Sequence, residues 1–395
     1  LLMEETYLND NKMSTVTNSY DILERPDLVV LGSSINERYS YSIQGWNTIK
    51  VVEKDTSTLF NSTLSFETPY LGSTPTFNGN VSSWSMSMDG ISSTKTYVLS
   101  YDSLGRLSDA PQYSGNSLTN DFTERNICYD RNGNIVSLQR YTGGSVTDNL
   151  SFTYIGNKRF GYTYDVLGNV QKKPDDNFII SYNRQSLPSS VTAISETGNN
   201  YCCGFLSDGT KIFETDEDSN GYRYIGSMRF ATSPSGDVFD STPFSKGRIV
   251  LMPGQNIPTT HYYVTDHLGS TRLILNTNGS VLARYNYTPF GVNMTAGAVA
   301  SNTDFTFAGK EKQLFGNTLD FGARLYDPET AIWNSIDPLA FNNYSASPYA
   351  YCNNNPIIFA DTDGNIVETV WDIANVVMDA KSLYNNIRDG KLGAS

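Results

Sequence analysis

A degenerate repeat occupies most of the first 260 residues, and it limits the possible folds more than any other feature of the chain. An aromatic residue, usually Tyr, is followed by Asp, a turn containing Gly and then Asn or Arg. The clearest copies are YDSLGRL at Tyr101, YDRNGNIVSL at Tyr129 and YDVLGNVQK at Tyr164, and weaker copies begin at residues 41, 77, 182 and 206. This pattern predicts a β-hairpin, in which Asp accepts backbone N–H bonds and Gly supplies a positive φ. One hairpin cannot bury its aromatic face alone, so neighbouring hairpins must extend a common sheet.

The composition supports an all-β fold built from such hairpins. The 395 residues include 26 Tyr and only 17% charged residues, and they are rich in the Gly, Asn, Ser and Thr of tight turns. The length would allow either several domains or one long repeat array. The net charge of −13 indicates that the bulk of the chain does not bind nucleic acid, because phosphate recognition depends on Lys and Arg.

Cysteine and histidine are too few and too scattered to predict a metal site or a cofactor. The four cysteines form no CxxC pair, and we expect them to be reduced and mostly buried. Of the two histidines, His267 lies in the turn sequence DHLGS and is expected to hydrogen-bond there. No signal peptide and no apolar run of membrane-spanning length is visible, so we expect any export signal to lie outside this chain.

An ordered series of motifs follows the repeats. It comprises YYVTDHLGSTRLILNTNGSVLARYNYTPFG at 262–291, FTFAGKEKQ at 305–313, LDFGARLYDPETAIWNSIDPL at 319–339 and SPYAYCNNNPIIFADTDG at 347–364. The series resembles the core region associated with Rhs repeats, also called YD repeats, and its style is closest to Bacteroidetes-type members. That region ends the shell of bacterial polymorphic toxins and of the related C subunits of Tc toxins.

The resemblance implies a sheet that spirals into a hollow, cocoon-like shell around the protein's own C-terminal toxin. It also implies a secreted or cell-surface bacterial protein, with an immunity protein and secretion-system components as further partners. We therefore divide the chain into an N-terminal segment without predicted structure (1–36), a YD-repeat array (37–260), a core region (261–365) and the start of a variable C-terminal region (366–395). Apolar residues recur every three to four positions from Val367 to Ile387, which predicts one amphipathic helix ended by Gly390.

The resemblance also implies an intramolecular aspartyl protease that cuts just after a motif of the form DPxGL. The positions carried over are Asp337 and Asp361, and the cut would fall near Asn365. The chemistry needs two carboxylates that share one proton, one acting as base on water and the other protonating the carbonyl oxygen. Arg324 is expected to pair with a carboxylate in a supporting, structural role. Asp327, before Pro328, is expected to be a turn residue.

This chain departs from the protease motif at two positions. It reads DTDGN, with Thr362 in place of proline and Asn365 in place of leucine, so Asp361 has lost the rigidity that proline would give. Two hypotheses follow: a structural shell segment that encases or presents a toxin, and an autoprotease that releases the C-terminal region. A carbohydrate-binding or adhesive β-protein is the third and ranks lowest, since aromatic residues at strand period more often pack a sheet.

Overall fold

In the computed structural model the chain is built almost entirely of antiparallel β-strands, which confirms the predicted all-β class. The structure describes residues 2–68, 70–71, 73–91, 93–195, 198–294, 303–342, 346–365 and 367–369. Within these ranges there are 36 strands and three short 3-10 turns, at Phe307–Gly309, Ala340–Asn342 and Tyr351–Asn354. No helix in the described part is long and apolar enough to cross a membrane.

The N-terminal strands form a ten-stranded sheet, in which each strand up to β8 pairs with the next along the chain. Strands β11 and β12 complete this sheet, while β9 and β10 form a separate pair. The strands are β1 (Leu2–Leu8), β2 (Asn11–Tyr20), β3 (Pro26–Leu31), β4 (Ile35–Tyr41), β5 (Asn47–Lys54), β6 (Ser57–Ser65), β7 (Ser83–Met88), β8 (Lys95–Val98), β9 (Ser100–Tyr101), β10 (Leu107–Asp109), β11 (Gln112–Ser114) and β12 (Ser117–Leu118).

Short sheets then lead to a second large sheet of eleven strands. The short ones are β13 (Thr123–Tyr129), β14 (Ile135–Thr142) and β15 (Ser145–Ser151), the pair β16 (Tyr154–Ile155) and β17 (Lys158–Arg159), and the pair β18 (Thr163–Tyr164) and β19 (Val170–Lys172). The large sheet contains β20 (Phe178–Tyr182), β21 (Pro188–Ala193), β22 (Tyr201–Phe205), β23 (Lys211–Asp216), β24 (Gly221–Ile225), β25 (Met228–Ser233), β26 (Gly236–Phe244), β27 (Gly247–Val250), β28 (Thr259–Thr265), β29 (Thr271–Leu275) and β30 (Val281–Arg284).

The last strands are short and belong to the core region. A four-stranded sheet is formed by β31 (Glu311–Lys312), β32 (Leu319–Asp320), β33 (Leu325–Asp327) and β34 (Ile332–Trp333), and a final hairpin by β35 (Phe359–Asp361) and β36 (Val367–Thr369). Buried aromatic side chains of this region, among them Phe321, Tyr326, Trp333 and Tyr351, pack edge-on or stacked at 3.9–5.9 Å between ring centroids. They share one hydrophobic core with side chains of the first sheet such as Trp84. The core region therefore packs against the repeats rather than forming an independent domain.

The repeat turns have the chemistry that the sequence predicts. Asp102 Oδ1 accepts the N–H groups of Leu104 and Arg106 at 2.9 and 3.0 Å, and its Oδ2 accepts Arg106 Nε at 2.7 Å. Gly105 supplies the turn's positive φ of 78°. The same pair of N–H bonds, from residues two and four positions ahead, is accepted by Asp21, Asp130, Asp165, Asn183, Asp216, Asp266 and Asn276.

Several tyrosines connect a hairpin to the one before it, whereas the hydroxyl of the repeat residue Tyr164 accepts the Arg159 N–H at 2.8 Å. The Tyr101 hydroxyl donates to the Val81 carbonyl at 2.8 Å, and the Tyr129 hydroxyl donates to the Leu107 carbonyl at 2.6 Å. Tyr41, Tyr154 and Tyr182 make the same kind of bond, to the carbonyls of Pro26, Ile135 and Val170. The motif thus combines a turn with a bond that stacks successive turns.

Three expectations about the chain need correction or completion. Residues 1–36, for which the sequence predicted no structure, form β1–β3 and the start of β4. The predicted helix does not begin at Val367, because β36 pairs with β35 through Asp361 and Val367; the rest of that helix, from residue 370, lies outside the described residues. The proposed boundary at 260/261 falls inside β28, which belongs to the same sheet as the preceding repeats.

The cysteines also differ in part from expectation. All four are free, but only Cys203 and Cys352 are buried, while Cys128 and Cys202 are exposed. Among the described residues, no group of three or more His, Cys, Asp or Glu side chains is arranged to hold a metal ion.

Candidate functional site

Arg324 connects the two aspartates that the sequence singles out. Its Nη1 lies 3.1 Å from Asp337 Oδ2, and its Nη2 lies 3.2 Å from Asp361 Oδ2. The guanidinium also lies 4.1 Å from the ring centre of Trp333, and its side chain is 1% exposed. Arg324 precedes β33 directly, so the four-stranded sheet fixes its position. The sequence therefore identified three residues that the fold does bring together.

Asp361 is fully buried and has the role of a turn residue. Its Oδ1 accepts the N–H groups of Gly364 and Asp363 at 2.6 and 3.2 Å. Its Oδ2 faces Arg324. Burial raises the pKa of the Asp361 carboxyl, although Arg324 acts in the opposite direction. Both oxygens are thus engaged in holding the turn that follows β35.

Asp337 differs from Asp361 in that it reaches solvent. Its side chain is 21% exposed, and its Oδ1 accepts the Leu339 N–H at 2.7 Å. It opens onto a cleft of about 200 Å³ whose walls include Asn365 and Val367. The expected cleavage position, Asn365, therefore lines the same cleft as Asp337, while Asp361 holds the backbone of the preceding Gly364.

The electrostatics of the pair differ from those of two carboxylates sharing a proton. Asp337 Oδ2 and Asp361 Oδ2 each face a different nitrogen of the Arg324 guanidinium, which forms an ion pair with both. We therefore interpret Arg324, Asp337 and Asp361 first as a clasp that joins β33, the 337–339 turn and the 361–364 turn. Of the two aspartates, Asp337 is the one that lines the cleft shared with Asn365.

Lys310 is a member of this site that sequence reasoning missed. Three consecutive carbonyls of the turn after Asp361 each accept a donor: Thr362 from Lys310 Nζ at 2.6 Å, Asp363 from the Ala323 N–H at 3.0 Å, and Gly364 from Arg324 Nε. Lys310 thus restrains Thr362, where the resemblance led us to expect a rigid proline. No local pattern in the sequence indicates this contact, because Lys310 and Thr362 are 52 positions apart.

A second element of the site is the segment 347–357, which we call the closing strap. It lies across the repeat turns and contacts the carbonyls of their glycines. The Tyr349 hydroxyl donates to Gly168 O at 2.7 Å, Asn354 Nδ2 to Gly133 O at 2.8 Å and Asn355 Nδ2 to Gly105 O at 2.8 Å. These glycines belong to three successive YD turns, which the strap meets in reverse order. The sequence indicated only that this Asn-rich segment turns the chain.

The core region is also anchored to the repeats by buried cations. Lys173 Nζ lies 2.8 Å from Asp327 Oδ2, and Arg140 donates to the carbonyls of Pro328 and Glu329 at 3.0 and 2.6 Å. Asp327 Oδ1 accepts the Glu329 N–H at 3.0 Å, which confirms its expected turn role. These contacts join residues far apart in the sequence, so the core region and the repeats hold each other in place.

A second group of charges joins β23 and β25 to the segment 304–320. Lys211 Nζ lies 2.9 Å from Asp320 Oδ2, and Arg229 Nη1 lies 2.6 Å from Glu311 Oε1. Burial lowers the pKa of the Lys211 ammonium, but Asp320, Glu214 and Glu311 outweigh it, so that pKa stands well above its ordinary value. Lys211 is therefore a permanent cation at this junction.

Comparisons with known proteins agree with this architecture. No family model matches the chain. It is 34% identical over 113 residues to salivary gland surface protein 1 of Aedes aegypti, which covers 28% of this chain and 3% of that protein. It is 24% identical over 307 residues to the tRNA3(Ser)-specific nuclease WapA of Bacillus spizizenii, which covers 75% of this chain and 11% of that protein.

Among solved structures, the Tc holotoxin pore of Photorhabdus luminescens contains the same fold. The superposition covers 93% of this chain and 21% of the Tc chain, with a TM-score of 0.72 and 16% sequence identity. The chain thus spans about a fifth of the Tc chain, and 3% and 11% of the two curated relatives.

Proposed function

We propose that this chain is the closing end of a YD-repeat shell of the Rhs polymorphic-toxin type, which encases or presents its own C-terminal toxin. On this proposal the protein acts outside the cell or at its surface, with an immunity protein and secretion-system components as further partners. The likeness to a Tc toxin chain supports the fold of such a shell. The match to WapA, a nuclease many times longer than this chain, supports a place beside a toxic domain.

The observation that carries the proposal is the closing strap. A segment that binds the glycine carbonyls of three consecutive repeat turns closes the edge on which those turns lie. Each such bond contributes about 1 kcal/mol net, and an unpaired buried amide would cost more. The strap and the cation anchors are therefore strong enough together to hold the core region against the repeats.

Limited proteolysis with an epitope tag after Ser395 tests encasement. We expect the region after residue 365 to be cut slowly in the parent chain and faster in an Asn354→Ala/Asn355→Ala variant, because the three bonds that these two amides donate are lost. An Asn116→Ala variant, changed in the exposed β11–β12 turn, should match the parent. Equal cleavage rates in the parent and the double variant would contradict encasement by this strap.

A second function, autoproteolysis near Asn365, is favoured by the exposure of Asp337 beside Asn365 in one cleft. In this reaction Asp337 would take a proton from water as the water oxygen bonds to the carbonyl carbon. The C–N bond would then break, and the proton would pass to the departing amine. Arg324, whose Nε donates to the Gly364 carbonyl, would hold the residue before Asn365 in position.

Intact-mass measurement separates the two functions. If the chain cuts itself, the parent should lose the 30 residues from 366 to 395, while Asp337→Asn should stay whole. Asp361→Asn tests the buried carboxylate, and Asp175→Asn, on an exposed loop, is the matched control that should cut like the parent. Full-length masses throughout would leave the structural role alone.

The third hypothesis, carbohydrate binding, gains little from the structure. Trp84 and Trp333 lie in the core, and the repeat tyrosines use their hydroxyls between hairpins.

A further inference from the structure

His267 occupies a repeat position that is exposed in other copies. It is the first residue after the turn aspartate, the position held by Ile22 and Val166 in their turns, which are 96% and 100% exposed. His267 is instead covered, because its Nε2 lies 2.8 Å from the Ile357 carbonyl at the end of the closing strap. The strap therefore contacts a fourth repeat turn, through a titratable side chain.

The contacts of the ring fix its protonation state. Nε2 must carry a proton to donate to Ile357, while Nδ1 is buried without a hydrogen-bond partner. The His267 and Trp84 rings also form a T-shaped contact, with their centroids 4.8 Å apart and their planes at 88°. The geometry thus suits a neutral imidazole and offers no acceptor for a second N–H.

Among the described residues, the charged groups around the ring leave no free anion for an imidazolium. Asp266, on the same turn, accepts two backbone N–H groups and the Arg272 Nε at 2.8 Å. Arg272 on β29 adds a positive charge close by. Lys310 and Asp361 lie across a cleft of about 330 Å³ that His267 also lines, and Asp361 is already paired with Arg324.

We propose that protonation of His267 releases the closing strap, so that the end of the shell opens in mildly acidic surroundings. This inference rests on the proposed closing function of the strap. A proton on Nδ1 meets neither an acceptor nor a free counter-charge, and the adjoining cleft gives the ring a route to water. Rotation of the protonated His267 ring into the cleft would break its hydrogen bond to the Ile357 carbonyl. Burial lowers the pKa of the His267 imidazole, in keeping with a ring held neutral by the closed strap.

Hydrogen exchange of the strap amides at pH 7.5 and pH 5.5 tests this inference. Each measured exchange rate is first corrected by dividing it by the intrinsic rate of an unprotected amide at the same pH. We expect corrected exchange in the parent to rise severalfold at pH 5.5, because the open strap binds the proton on His267 more strongly than the closed one. His267→Gln, which keeps a donor but cannot be protonated, should show no rise. His261→Gln changes the other histidine and should behave like the parent.

The outcomes are distinct. Strap amides unprotected at pH 7.5 would contradict closure itself. Protection that persists at pH 5.5 in the parent, or a rise retained by His267→Gln, would overturn the switch alone. If His267→Gln does not fold, NMR titration of the single ring in His261→Gln decides. A midpoint below 6.5 that coincides with strap release supports the switch, and a midpoint at or above 6.5 overturns it.

Discussion

At the scale of single residues, the candidate site depends most on Arg324. It is the cation shared by Asp337 and Asp361, and it also donates to the Gly364 carbonyl. Removing one partner of a buried ionic group leaves uncompensated charge, which costs far more than an exposed ion pair contributes. The aspartates and Arg324 could be identified from local motifs, whereas Lys310 could not, since its contact exists only in the folded chain.

Replacing Arg324 tests this residue directly. We expect Arg324→Met to lower the free energy of unfolding by about 3–5 kcal/mol, because it strands the buried Asp361 carboxylate. Arg324→Lys should recover only part of this, since one ammonium cannot reproduce the planar fork. Urea denaturation measures both. Arg223→Met, at a half-exposed pair with Asp237, is the control and should cost less than about 1 kcal/mol. Equal losses at the two sites would disprove the clasp.

At the scale of elements, the hairpin turn was predictable and its stacking was not. Asp, Gly and the spacing between them lie within five residues, so the turn is specified locally, as Asp102–Arg106 shows. The carbonyl that each tyrosine reaches belongs to another hairpin. Residues 1–36 escaped prediction because β1 exposes or half-exposes every residue, which leaves little apolar alternation to read. At the other end, Val367 fits a helical period equally well as a strand, and pairing with Asp361 decides for the strand.

The stacking bond predicts a measurable cost for one hydroxyl. Tyr101→Phe leaves the Val81 carbonyl without its donor, so we expect unfolding free energy to fall by about 1–2 kcal/mol in urea denaturation. Tyr7→Phe removes an exposed hydroxyl that bonds only to Glu5 in β1, and it should be nearly neutral. A neutral Tyr101→Phe would show that the repeats stack by packing alone.

Glu37 predicts how the contact between β4 and the β26–β27 turn responds to acid. Burial alone would raise the pKa of its carboxyl, but Lys246 and Lys50 outweigh burial and lower that pKa from 4.5 to about 2. The folded state therefore holds the ionised form more strongly than the unfolded chain does. Its stabilisation is complete above pH 4.5 and is lost as the pH falls towards 2.

Urea denaturation between pH 6 and pH 2 checks this dependence. Glu37→Gln should be less stable at pH 6 and should lose less stability than the parent on acidification. Glu53→Gln, at a partly exposed pair with Arg38, should follow the parent curve. Parallel curves for Glu37→Gln and the parent would mean that Glu37 is not the acid-sensitive contact.

At the scale of the whole molecule, the strap and the cation anchors hold the core region against a stack of repeat hairpins. The bonds of the strap to the glycine carbonyls and to Asn80, together with the Lys173 and Arg140 anchors, join residues 154–275 positions apart, and no periodicity in the sequence indicates such pairs. The fold class and the site's aspartates could be predicted because they depend on local patterns. The contacts of the strap could not be predicted, because an Asn-rich segment by itself indicates only turns. The carbonyls that it contacts are known only from the folded chain.

Closure is tested most directly by hydrogen exchange at the repeat turns, compared between the parent and Asn354→Ala/Asn355→Ala. The structure predicts faster exchange in the Asp102–Arg106 and Asp130–Asn134 turns, whose glycine carbonyls lose the two amides. The Asp165–Asn169 turn, bound by Tyr349, and the Asp21–Arg25 turn should change little. Unchanged exchange in the first two turns, or a uniform rise in all four, would contradict a strap that closes the shell.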